Sequence, residues 1–168
     1  NLQQAKVKHL IQAGQLIKRC KRLAKQGVSL YFPKLDIDNA IVVAYSDASW
    51  ANMPNMGSQG GVMIFLCNPE GKIRRSRASL LEWTSHRIKR VVKSTLAAET
   101  ASLSEAQDKQ EFARAVFCAM MGWYKPKYHW SGALDIVPGV LVVDAKSVYD
   151  MLHKDGSIPQ EKRVALDS

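Results

Sequence analysis

The sequence predicts an α/β fold in which short apolar strands form a mixed sheet and helices pack on it. Three observations lead there. Runs of β-branched residues alternate with helical patterns of period three to four. Two of those runs, Ala40 to Ser46 and Val140 to Val143, are almost continuously apolar, as buried strands are. Each of the two is followed at once by an aspartate, Asp47 and Asp144. With 168 residues, 46% of them apolar, the chain can bury about 70% of its unfolded surface without a disulfide or metal staple. That composition excludes bulk disorder, collagen and coiled coil.

The elements follow in order. Val7, Leu10, Ile11, Ile17, Cys20 and Leu23 recur at helical steps and predict an amphipathic helix from about Ala5 to Gln26, stopped by Gly27. Val28 to Phe32 is a candidate strand ended by Pro33, and Lys34 to Asn39 is a polar connector. Ala40 to Ser46 is a buried strand ending at Asp47, Asn52 to Gly57 a turn, and Gly60 to Cys67 the next strand. Gly57 to Gly61 lacks the GxGxxG and GK[ST] spacings of a phosphate loop and reads as a hairpin turn. A further strand falls between Ile73 and Thr84. Ser94 is placed to cap the longest helix, with Leu96, Leu103, Ala106, Ala113, Val116, Phe117 and Met120 on its apolar face and Gly122 as its stop. Trp123 to Gly139 is a long loop, Val140 to Val143 a strand and Ser147 to Lys154 a short helix, and Pro159 opens a last helix.

Cys20, Cys67 and Cys118 form no CxxC and no zinc-ligand spacing, and read as reduced core thiols of an intracellular protein, cytoplasmic or nuclear. Every apolar run falls well short of the ~20 residues that span a bilayer, so no membrane partner is expected. The chain begins at Asn1 without Met and stops at Ser168 in mid-pattern, as expected of a segment of a larger polypeptide.

The net charge of +9 is unevenly spread. Residues 1 to 34 carry no acid, and residues 72 to 93 carry only Glu82; together these stretches hold 16 of the 24 Lys and Arg. Such blocks suit a surface that faces polyanions, nucleic acid first among them. The loop from Trp123 to Trp130 interleaves aromatics with cations, a composition that serves either base stacking or packing beneath a loop.

The carboxylates are more specific. Asp47 and Asp144 each end an apolar strand, and in mixed sheets reactive side chains gather at the crevice where strand ends meet. Glu99 stands early in the long helix behind Ala97 and Ala98, small enough to let that turn sit close to a sheet. Asp167 is a fourth acid. Clustered carboxylates repel one another unless a cation neutralises them, and oxygen ligands without His or Cys favour Mg²⁺ or Mn²⁺ over zinc. Taken singly, each acid also fits a turn or cap role.

Tyr45-Ser46-Asp47-Ala48-Ser49-Trp50, the run Gly57 to Leu66, Leu81-Glu82-Trp83-Thr84-Ser85-His86-Arg87, Lys93-Ser94-Thr95-Leu96-Ala97-Ala98-Glu99 and Val142-Val143-Asp144-Ala145-Lys146-Ser147 resemble the ribonuclease H domain of copia-type retrotransposon polyproteins. The similarity runs in order from about Ile41 to Asp167, and Asn1 to Gln26 resembles the segment that joins reverse transcriptase to that domain. The resemblance implies a division into residues 1–38, the end of a reverse transcriptase region, and residues 39–168, a ribonuclease H-like domain cut short at its C-terminus. It implies a mixed five-stranded sheet whose first three strands are antiparallel and whose fourth lies parallel to the first. The activity implied is metal-dependent hydrolysis of the RNA strand of RNA–DNA hybrids, beside a reverse transcriptase region. Two Mg²⁺ ions, replaceable by Mn²⁺, would be held by Asp47, Glu99, Asp144 and Asp167. Family domains often carry a His shortly before the fourth acid; Ile158 to Leu166 has none, and His153 is the substitute considered. Contacts to the hybrid would come from Ser49, Asn52 and Ser94 at 2′-hydroxyls and from Arg87, Lys89, Arg90 and Lys93 at phosphates. Two alternatives keep the same sheet: a catalytically inactive module serving as a structural or nucleic-acid-binding part of a larger assembly, and an integrase or resolvase relative.

Overall fold

The computed structural model describes residues 6–69, 76–123 and 130–153. The chain divides into two compact units, Asn1–Phe32 and Pro33–Ser168. In the first, helix α1 (Val7–Lys25) ends where Gly27 takes a φ of +76°, a left-handed conformation that costs glycine little. No residue of α1 is buried, and Cys20, expected in a core, is exposed. Val28 to Phe32, expected as a strand, has no ladder partner among the described residues. A short apolar and aromatic run alone does not make a strand, because a strand's hydrogen bonds must come from a neighbouring segment.

The second unit holds β1 (Ile41–Met53), β2 (Gly57–Cys67), β3 (Ala78–Arg87), α2 (Thr95–Met120), β4 (Gly139–Val143) and α3 (Lys146–His153). Among the described residues the sheet has four strands, where five were expected, in the order β3-β2-β1-β4. β1, β2 and β3 pair antiparallel, and β4 lies parallel to β1.

β1 does not stop at Asp47. Ala48 and Ser49 go on pairing with Gly60 and Gln59, and a register shift follows before Met53 meets Gly57. Ala51, Asn55 and Met56 adopt φ of 53°, 59° and 56° through this bulge and turn. Gly57 to Gly61, expected as the hairpin turn, is therefore the first half of β2.

Val42 and Ala44 of β1 and Val62, Ile64 and Leu66 of β2 form the core with Ala106 and Cys118 of α2, joined by Ala133 and Val137. Each fully buried aliphatic side chain contributes about 1.5–3 kcal/mol. Leu35 and Ile37 of the connector pack against the same cluster. The buried face of α2 includes the expected Leu103 and Ala106, with Ala113 and Phe117 packed against the core, but Val116 and Met120 are exposed and the polar Ser102 and Gln110 are buried. Both are buried because the sheet offers them carbonyls. Ser102 Oγ reaches Asp47 O at 2.9 Å, and Gln110 Nε2 donates to Val42 O at 3.0 Å and Val140 O at 2.8 Å. Cys67 and Cys118 are buried free thiols, and burial pushes both up.

The stretch after α2 is not all loop, since Trp130–Asp135 forms a short 3-10 turn. Arg114 Nε donates to Val137 O at 2.7 Å and its guanidinium also reaches Leu134 O, fixing the approach to β4. Among the described residues no helix is long and apolar enough to cross a membrane.

Candidate metal centre

The last parallel pair of the β1–β4 ladder is Ser46 with Val143. Asp47 and Asp144 are the next residue on each strand, so two acids leave adjacent strands at one level. Glu99 arrives from α2. The start of that helix is fixed by Ser94 Oγ, which accepts from the Ala97 N–H at 3.1 Å, and its closeness to the sheet by fully buried Ala98 and by Ser102. Oxygens of Asp47, Glu99 and Asp144 lie within 4.8 Å of one another.

Their environments differ. Asp47 and Asp144 are exposed, whereas Glu99 is only 5% exposed. Burial pushes the Glu99 carboxyl above its usual range, and the charges of Asp47 and then Asp144 push it further, while a hydrogen bond from the Ala48 backbone N–H pulls it back. Glu99 Oε2 is buried with no hydrogen-bond partner. An orphaned carboxylate oxygen facing two more carboxylates is costly unless a cation completes it. The donor set is all oxygen, so these three residues fit a hard divalent ion.

Asp167 and the helix expected from Pro159 lie outside the described residues, as do residues 124–129 of the aromatic and cationic loop. Trp123, at the start of that loop, packs edge-on against Phe117 at 5.6 Å. His153 ends α3 with its ring stacked on Tyr149 at 4.1 Å and its Nδ1 3.0 Å from the Tyr149 carbonyl, a local helix-end arrangement.

Ser49 is exposed two residues beyond Asp47. Asn52 donates to Gln59 Oε1 at 3.5 Å, and Gln59 Nε2 donates to Ser85 Oγ at 2.7 Å, a polar ladder across three strands. Gln59 and Ser85 carry no local sequence signal; only the register sets them beside Asn52. Arg87 ends β3 opposite Gln59, and Lys89, Arg90 and Lys93 follow in the segment leading to α2, all exposed. Sequence patterning also missed Ser102 and Gln110, because a polar residue on a helix reads as solvated until the facing carbonyls are known.

No family model matches the chain, and no curated protein matches it. Among solved structures it is similar to the native crystal structure of prototype foamy virus protease-reverse transcriptase, at 14% identity over 76% of this chain and 20% of that one, with a TM-score of 0.28. The selenomethionine-labelled CSH mutant of the same protein gives 13% identity, 83% and 21% coverage, and a TM-score of 0.28. The chain spans about a fifth of the length of these proteins. Its fold class rests on its own topology: the order β3-β2-β1-β4, with β4 parallel to β1 and α2 packed on β1 and β2, is ribonuclease H-like, and it carries an acidic trio able to hold a metal ion at the end of that parallel pair.

Proposed function

We propose that this chain is a metal-dependent endonuclease that hydrolyses the RNA strand of RNA–DNA hybrids, using Mg²⁺ with Mn²⁺ as a substitute. We further propose that it belongs to a retroelement polyprotein, beside a reverse transcriptase region. The observation that carries the reading is the convergence of Asp47, Glu99 and Asp144 within 4.8 Å, with a partnerless oxygen on the buried member.

In this reading Asp47, Glu99 and Asp144 hold the metal, and Asp167 is proposed as a further ligand. When bound, divalent ions supply activation of water and neutralisation of charge on the leaving oxygen. The chain's own residues do the rest. Glu99 anchors the site from its floor, while the exposed Asp47 and Asp144 leave it open to a phosphodiester arriving from solvent. Three carboxylates repel a phosphate, and Arg87, Lys89, Arg90 and Lys93 offset that repulsion by gripping the backbone without reading sequence. Ser49, Asn52 and Ser94 are the proposed contacts to 2′-hydroxyls, the groups that tell RNA from DNA.

Cleavage of a labelled RNA–DNA hybrid in Mg²⁺ by the native chain and by Asp47→Asn tests the reading. The native chain should cut, and the variant should bind the hybrid without cutting it. Equal cleavage by both would remove Asp47 from the site.

A further inference from the structure

The β1–β2 turn and the segment between β3 and α2 enclose a cleft of about 620 Å³. One part of its lining is apolar: Trp50, Met56 and Val91 are 44%, 73% and 83% exposed. The other is cationic, with Arg87, Lys89 and Arg90 and no acid among the described lining residues.

Three features give the cleft a defined shape. The Trp50 indole N–H donates to the Val92 carbonyl at 3.3 Å, tying one wall to the other. Arg87 lies over Gly57 so closely that a Cβ there would fall 2.5 Å from Nε, so the glycine makes room for the guanidinium. Ala51, Asn55 and Met56 all hold left-handed φ, a strain that persists only where the surroundings enforce it.

The chemistry narrows the occupant. A duplex backbone would use the cations and leave the apolar wall in water. An apolar protein segment would cover that wall and leave three cations without a counter-charge. An unpaired nucleotide uses both, because a base stacks on an indole while its phosphate meets Arg and Lys. The volume lies within the roughly 300–1,000 Å³ of small-ligand sites. With its N–H already engaged, Trp50 has ring surface left to offer.

We propose that this cleft binds an unpaired nucleotide of a single-stranded nucleic-acid segment, with the base against Trp50 between Met56 and Val91 and the phosphate on Arg87, Lys89 and Arg90. The inference rests on the nucleic-acid part of the proposed function for its ligand class and is independent of the metal trio. It follows that a hybrid with a single-stranded overhang binds more tightly than a blunt one of equal length.

The test compares a fluorescent oligo-dT with an abasic oligomer of the same length and charge, bound to the full chain in EDTA and read by anisotropy. The native chain should prefer oligo-dT about tenfold, the gain expected from one stacked base. Asp47→Asn should keep that preference, as should Trp83→Leu, which alters an exposed tryptophan outside the cleft lining. Trp50→Leu should bring the ratio near unity with an unchanged circular dichroism spectrum. Val91→Asp, at a position too exposed to disturb the fold, should weaken oligo-dT binding, and it decides the matter if Trp50→Leu unfolds. Equal affinity of the native chain for both oligomers overturns the proposal, and so does a preference that survives Trp50→Leu or Val91→Asp. A chain that shows the preference but cuts no hybrid in Mg²⁺ refutes the nuclease reading alone, and one that cuts without the preference refutes this inference alone.

Discussion

The hydroxyl of Ser102 donates to the backbone carbonyl of Asp47 at 2.9 Å and lies 3.3 Å from the Gly61 carbonyl. One residue of α2 thus ties the helix that carries Glu99 to the strand that carries Asp47, three positions along from Glu99 itself. Ser102→Ala should cost about 1–3 kcal/mol by urea unfolding, since it strips a hydrogen bond from carbonyls enclosed by the helix. A change of only a few tenths would mean that packing, not this bond, seats α2.

Glu99 makes the metal-free protein pH-dependent in a definite direction. Its folded-state pKa lies above the unfolded one, so folding takes up a proton. The stability it contributes is full below the ordinary carboxylate range and is lost as pH rises through its raised pKa. Glu99→Gln should therefore raise the melting temperature at neutral pH in EDTA and flatten that part of the profile. Thermal scans from acid to neutral pH check this; a variant less stable than the native chain at neutral pH contradicts it.

Metal addition should act in the opposite sense. An ion that binds only the folded chain stabilises it by about 2.7 kcal/mol at a free concentration one hundred times its Kd. Mg²⁺ or Mn²⁺ should raise the melting temperature of the native chain, and Asp144→Asn should lose most of that rise. Identical shifts in both would show binding elsewhere.

Gln110 braces the start of the β1–β4 pair. Its amide bridges Val42 O and Val140 O, one from each member of the parallel pair. Gln110→Leu should cost about 1–3 kcal/mol and speed hydrogen exchange at residues 139–143. Unchanged exchange there would place the restraint on β4 with Arg114.

Lys89 is exposed between β3 and α2 and offers only charge. Lys89→Ala should weaken hybrid binding equally for different sequences and lower the salt dependence of log K by about one unit of slope. A sequence-selective loss would mean that Lys89 reads bases.

Several features were legible because local patterning and tertiary role coincide. The apolar runs before Asp47 and Asp144 mark the strands β1 and β4, Ser94 marks the start of α2, and Ala98 marks close approach to the sheet; only the first run is buried, whereas β4, expected buried, is partly exposed along its whole length. Val28 to Phe32 misled because a short apolar and aromatic run ended by a proline says nothing of an available partner edge. β1 was read too short because residues 48–53 are neither apolar nor regularly alternating, and their strand character comes from pairing with β2. Ser102 and Gln110 were unreadable for a related reason, since their burial depends on carbonyls supplied by segments 30 to 68 residues away.

By itself the sequence determined the α/β class, the cationic blocks and the identity of three acids worth bringing together. Those follow from short-range properties: side-chain branching, helical period, and where charge falls along the chain. Tertiary structure alone decided that Asp47 and Asp144 leave adjacent parallel strands at the same level, that Glu99 is the buried and raised member, and that Trp50 and Val91 line one cleft with Arg87, Lys89 and Arg90. Those outcomes depend on register and on desolvation, and both are set by which distant segments meet.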